Sequence, residues 1–190
     1  NDPSLIQTNF QIRGFDKLLN RSARLHATYR ELGANPNGIF MQTLVARRDC
    51  VEKVFPLDPT LRVAQDIDMI FRLSLASDFA FIPEPLVEID RTPDRGIGLT
   101  KQHDMKSLYR LQTKERILLG WLAIDDPKIN EIRRSLKRQL AVVQRRIAAH
   151  HQRQGDSTAA RHYYRAAFAS HSSVTNLGRM ALNQIFSKAL

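Results

Sequence analysis

Two carboxylates, Asp66 and Asp68, open an apolar segment in which Ile67, Ile70, Phe71 and Leu75 recur at helical spacing. One face of that helix is expected to pack inward, so its first turn holds an acid on a fixed element rather than on a loose loop. About twenty-five residues on, Arg91 and Arg95 fall in the segment Arg91-Thr-Pro-Asp-Arg-Gly-Ile-Gly-Leu-Thr100, whose glycines and proline give it hinge character. A rigid carboxylate beside a flexible arginine-bearing loop suits transfer of a sugar. The acid takes a proton from an attacking hydroxyl, and the cations hold a departing diphosphate. Asp66 also has a plainer role open to it, as a helix cap. His103, just past the loop, reads as a surface histidine at a helix start, with a metal role left open.

The elements that would position these groups follow from periodicity. Phe15, Leu18, Leu25, Tyr29 and Leu32 mark an amphipathic helix from Gly14 to Leu32, with Gly33 as its stop. After the turn Asn35-Pro-Asn-Gly38, Ile39 to Ala46 reads as a strand ending at Arg47-Arg48, a solvated strand end or a phosphate holder. Asp49 is expected to cap a short helix through Val54, with Cys50 half-buried behind it. Pro56, Asp58 and Pro59 make the turn into the acidic helix, which Ser77-Asp78 ends. Phe79 to Ile82 and Leu86 to Ile89 read as short strands around Pro83-Glu-Pro85.

In order, this region resembles the second half of the catalytic domain in family 2 glycosyltransferases. Leu57-Asp-Pro-Thr-Leu61 stands where the family has Phe-Asp-x-x-Leu. Gln65-Asp-Ile-Asp-Met-Ile-Phe-Arg-Leu73 stands for Glu-Asp-x-Asp-Leu-x-x-Arg-Leu. The likeness spans roughly residues 37 to 100, including the strand before the motif and Ile82 to Arg91 after it. It implies a GT-A-type α/β domain and an inverting single displacement, with a nucleotide-sugar donor and a glycan or lipid-linked acceptor of the cell envelope. By the same likeness Asp66 is the general base, and Gln65 (Glu in the family), Asp68, Arg91 and Arg95 line the substrate. The resemblance further implies a divalent metal, Mg or Mn, with ligands outside this chain. Residues 1 to 38 hold nothing like the nucleotide-binding half, and Asn1 is not preceded by a methionine. The chain is therefore expected to be the C-terminal part of a longer enzyme, inactive alone.

Composition separates the two halves. Of 190 residues, 43% are hydrophobic and 25% charged, within the globular range, and the net charge is +10. Residues 1–100 hold 12 Lys and Arg against 13 Asp and Glu, while residues 101–190 hold 17 against 6, so the positive field belongs to the second half. From Lys101 the pattern is helical. One helix carries Met105, Leu108, Leu111, Leu118 and Leu122. A long one runs from Lys128 to about Gln154 with the seam Ile129, Ile132, Leu136, Leu140, Val143 and Ile147. A third, Ser157 to Ser170, turns Ala160, Tyr163, Tyr164, Ala167 and Phe168 inward, and a last one carries Val174, Leu177, Ala181 and Ile185. The long helix, Gly155-Asp156, and Ala-x-x-Tyr-Tyr-x-x-Ala resemble a tetratricopeptide hairpin, present once.

The expected organisation is a catalytic half-domain over 1–100 and a basic helical extension over 101–190, mainly helical in total. No Gly-rich phosphate loop, zinc spacing or nucleophile elbow occurs. One cysteine excludes an internal disulfide and fits a reducing, cytoplasmic setting. The arginines point to an anionic membrane surface, at its inner face, as partner. Aromatics are not interleaved among them, which argues against nucleic acid. The competing functions are a non-catalytic helical interaction module and a basic protein that binds nucleic acid or a membrane surface.

Overall fold

The computed structural model describes residues 5–8, 28–34, 39, 41–82, 107–173 and 175–178. These are mainly helical. The chain divides into two compact units, Asn1–Gly96 and Ile97–Leu190.

In the first unit a three-stranded sheet runs in the order β2-β1-β3, where β1 is Leu5–Thr8, β2 Leu44–Ala46 and β3 Phe79–Ile82. β1 is antiparallel to β2 (Ile6 opposite Val45) and parallel to β3 (Ile6 opposite Ala80). The strand expected over Ile39 to Ala46 is shorter than its composition suggests. Met41–Thr43 coil into a 3-10 turn, and only Leu44 to Ala46 find partners on the four-residue β1. Helix α1, Thr28–Ala34, carries buried Tyr29 and Leu32. Gly33 does not stop it but lies buried within it. The part of that helix expected over 14–27 lies outside the described residues, as do the strand at Leu86 to Ile89 and the loop 91–100.

Arg48–Glu52 form α2, preceded by Arg47 in an extended conformation. Asp49 is thus not its cap. It sits in the first turn, where an acid complements the helix dipole. Cys50 is fully buried rather than half-buried. Helix α3, Gln65–Ala76, turns Met69, Ile70, Phe71 and Leu73 into the core with Leu61, Val54 and Phe79. Ile67 and Leu75, expected on the same face, are only half-buried. Each fully buried apolar side chain of this size contributes about 1.5–3 kcal/mol, enough for four of them to hold a twelve-residue helix in place.

The second unit packs α4 (Leu108–Ala123) and α6 (Ser157–Ser170) against the long α5 (Pro127–Arg153). All six residues of the anticipated α5 seam are buried, Ile129, Leu136 and Ile147 completely. Ala160, Tyr164 and Ala167 of α6 are buried too. Tyr163 and Phe168, though, are half-buried and not fully inward. A polar tie crosses all three helices: Gln144 donates from Nε2 to Glu115 Oε1 at 3.0 Å and accepts the Ser170 hydroxyl at 2.8 Å. Past α6, Asn176 is buried and donates to the carbonyls of Ala167 and His171. It takes the inward place expected of Leu177, which is 48% exposed.

Two residues make the α5–α6 junction. Gly155 has φ of 78° and donates to Gln152 O, while Asp156 N donates to His151 O, which together close the helix in a Schellman motif. Asp156 at once opens α6, its Oδ1 accepting from Ala159 N at 2.9 Å and its Oδ2 lying 3.3 Å from His151 Nδ1. A methyl group at position 155 would meet nothing within 4 Å, so the strain of replacement is purely conformational. We expect Gly155→Ala to cost about 1 kcal/mol, Gly155→Asn less, and Asp156→Ala about 1 kcal/mol through loss of the cap, all read from urea-unfolding midpoints.

Candidate functional site

Asp66 is exposed, on the second residue of α3. The cap position belongs to Ala64, whose φ of 62° and ψ of 21° place it in the left-handed region and whose carbonyl accepts from Asp68 N. Ala64 has no side-chain acceptor to offer, so the free amides of the first turn need another partner. Asp66 supplies it, its Oδ1 accepting from Ile67 N at 2.9 Å. The helix-terminus role and the exposed carboxylate therefore coexist. One oxygen is held by the backbone, and Oδ2 makes no hydrogen bond among the described residues. A base needs this arrangement: a carboxylate oriented by one oxygen with a free lone pair on the other.

The remaining residues of the acidic motif differ in environment. Gln65 is half-buried at the first position of the helix. Asp68 is 9% exposed and pairs with Arg72 Nη2 at 3.0 Å, one helical turn on. That pairing stabilises α3 and orients Asp68 along the helix. The turn ahead of the motif is organised by Asp58, whose Oδ1 accepts from both the backbone amide and the hydroxyl of Thr60. Arg91, Arg95 and His103 lie outside the described residues, so of the expected site residues only Gln65, Asp66 and Asp68 can be placed. Among the described residues no group of three or more His, Cys, Asp or Glu converges to hold a metal ion.

Of Arg47 and Arg48, weighed as a phosphate holder or a solvated strand end, Arg48 is exposed on the first residue of α2. Arg47 is committed to Asp49 in a two-point pair, Nε to Oδ1 at 3.0 Å and Nη2 to Oδ2 at 2.9 Å. Sequence reasoning had no signal for this pairing, because i and i+2 partners meet only where the first residue is extended and the second begins a helix. The Arg47 guanidinium holds the Asp49 carboxyl below its ordinary value, and Lys53 adds to the effect.

No protein-family model, curated protein or solved structure matches the chain. Among the described residues no helix is long and apolar enough to cross a membrane.

Two outcomes follow from this geometry. Ala64→Gly removes a left-handed alanine, and we expect it to raise stability by up to about 1 kcal/mol in thermal unfolding. Arg47→Gln returns the Asp49 pKa toward the ordinary carboxylate value in an NMR titration. In the native protein the Asp49 contribution is complete above the unfolded-state pKa and is lost as pH falls through the lowered folded one. In the variant that acid-side dependence is smaller.

Proposed function

We propose that the first unit forms the acceptor side of an inverting nucleotide-sugar transferase, with Asp66 as the general base. The observation that carries this reading is the Asp66 carboxylate itself. It is exposed, anchored through Oδ1 to Ile67 N, and set on a helix whose opposite face is buried. The order and spacing of Leu57–Leu61 and Gln65–Leu73 support the same assignment.

In this mechanism Oδ2 of Asp66 accepts the proton of the acceptor hydroxyl as that oxygen attacks the anomeric carbon. The bond from the same carbon to the nucleoside diphosphate breaks, its electron pair leaves with the phosphate, and the configuration inverts. Asp68 and Arg72 act through α3 by holding its first turn, and Gln65 flanks the base. Arg91 and Arg95 are assigned to the departing diphosphate, where a guanidinium matches phosphate oxygens in pairs. The acceptor is a glycan or a lipid-linked sugar. A nucleotide sugar is the donor; a divalent cation, if bound, would offset the charge on the departing diphosphate.

The deciding measurement uses Asp66→Asn in the protein as its cell makes it, assayed for sugar transfer from a panel of nucleotide sugars. Asparagine still accepts from Ile67 N, so the helix terminus keeps its partner. Loss of the base is expected to lower kcat by at least about 10²-fold with little change in KM for the donor. Activity within about tenfold of the parent sinks the assignment. So does partner binding as the sole measurable property, unmoved by the substitution, which is what a non-catalytic helical module predicts.

A further inference from the structure

Eight Lys and Arg but a single acid, Glu131, lie on the 27 residues of α5. Some of these cations are already committed. Arg133 donates to Asn130 and to the carbonyl of Leu122, and Arg153 donates to the carbonyl of Ala149. Arg134, Lys137, Arg138 and Arg145 make no hydrogen bond or ion pair among the described residues, and the first three are exposed. At 100° per residue, Arg134, Arg138 and Arg145 fall within an arc of about 40°, opposite the seam of Ile129, Leu136 and Ile147. Along the axis they span about 16 Å in a straight row.

We propose that this face of α5 docks on a flat anionic surface, the phosphate-bearing headgroups of a bilayer that contains acidic lipid. The chemistry is guanidinium-to-phosphate pairing. Three observations select the partner. Among the described residues the exposed large apolar side chains are Met41, Val45, Phe55, Leu119 and Leu177, none of them on α5, so the contact made by this face is to headgroups without insertion among acyl chains. No Phe, Tyr or Trp lies on α5, and its two histidines are half-buried, with His151 already stacked on Tyr163, so unpaired bases find no open stacking platform there. Finally, the row is straight. A plane meets all three arginines at once, whereas the phosphates of a duplex wind away from a straight helix and meet fewer. This docking is independent of the role given to Asp66.

The test is flotation of the full chain with vesicles of phosphatidylcholine containing about 30 mol% phosphatidylserine, against pure phosphatidylcholine, at about 50 and about 500 mM salt. Binding is expected to the acidic vesicles alone and to fall steeply at the higher salt. The triple variant Arg134→Gln, Arg138→Gln, Arg145→Gln should bind about fivefold more weakly per residue, roughly 100-fold in total. A control, Arg48→Gln, Lys53→Gln, Arg62→Gln, changes net charge equally in the first unit and should bind like the parent; circular dichroism checks that both variants are folded. Failure of the parent to bind acidic vesicles at low salt overturns the proposal. Equal weakening by the control overturns the assignment to α5. Tighter binding to duplex nucleic acid than to the vesicles, lost in the α5 triple variant, assigns the face to nucleic acid instead.

Discussion

Met69, Ile70, Phe71 and Leu73 hold α3 against the core of the first unit, and the properties of Asp66 descend from that packing. A carboxylate on a free chain samples many positions. On a helix whose buried face is fixed, its direction is set by the rotation of that helix. Asp68 shows how narrow the tolerance is. Only two residues further on, the same type of side chain turns inward and is tied to Arg72. At about 100° per residue, two positions amount to more than half a turn, enough to separate an exposed acid from a buried, paired one. The left-handed Ala64 contributes by leaving the first turn without a side-chain cap, so Asp66 itself satisfies the Ile67 amide.

The second unit answers to a different constraint. Its excess of Lys and Arg cannot enter the core, because a buried unpaired charge is costly, and too few acids are present to pair them all. The core is accordingly built from the α5 seam and the small face of α6, with Ala148 against Ala160 and Tyr164. The buried polar side chain of Gln144 is satisfied from both sides by Glu115 and Ser170, which also sets the register among three helices. What remains outside is cationic. In the first unit, by contrast, charges are matched within a turn or two of the chain, as in Arg47 with Asp49 and Arg72 with Asp68.

Glycine and aspartate serve both units as punctuation, with different outcomes. Gly155 and Asp156 do what their types suggest: one supplies a positive φ, the other a cap, and two residues suffice to reverse the chain. Gly33 does not terminate its helix, and Asp49 does not begin one. Local preference decides such a position only where no other contact or burial competes. At Gly33 burial competes; at Asp49 the extended Arg47 offers its guanidinium.

The amino-acid order alone determined the three helices after residue 107, the bounds of the second and third to within a residue, and the buried seam of α5, because a 3.6-residue period over long segments has no rival interpretation. It equally determined that an acid would stand at the start of an apolar helix after residue 64, and that the positive charge would gather in the second half. The tertiary structure decided what periodicity cannot encode. Strand length at β2 was set where Met41–Thr43 coil into a 3-10 turn, leaving Leu44 to Ala46 to pair with Gln7, Ile6 and Leu5. Asn176 took the inward place rather than Leu177, with its Nδ2 donating to the carbonyls of Ala167 and His171. Which of two neighbouring aspartates faces solvent depended on the rotation of α3, a quantity fixed only when its other side meets the core.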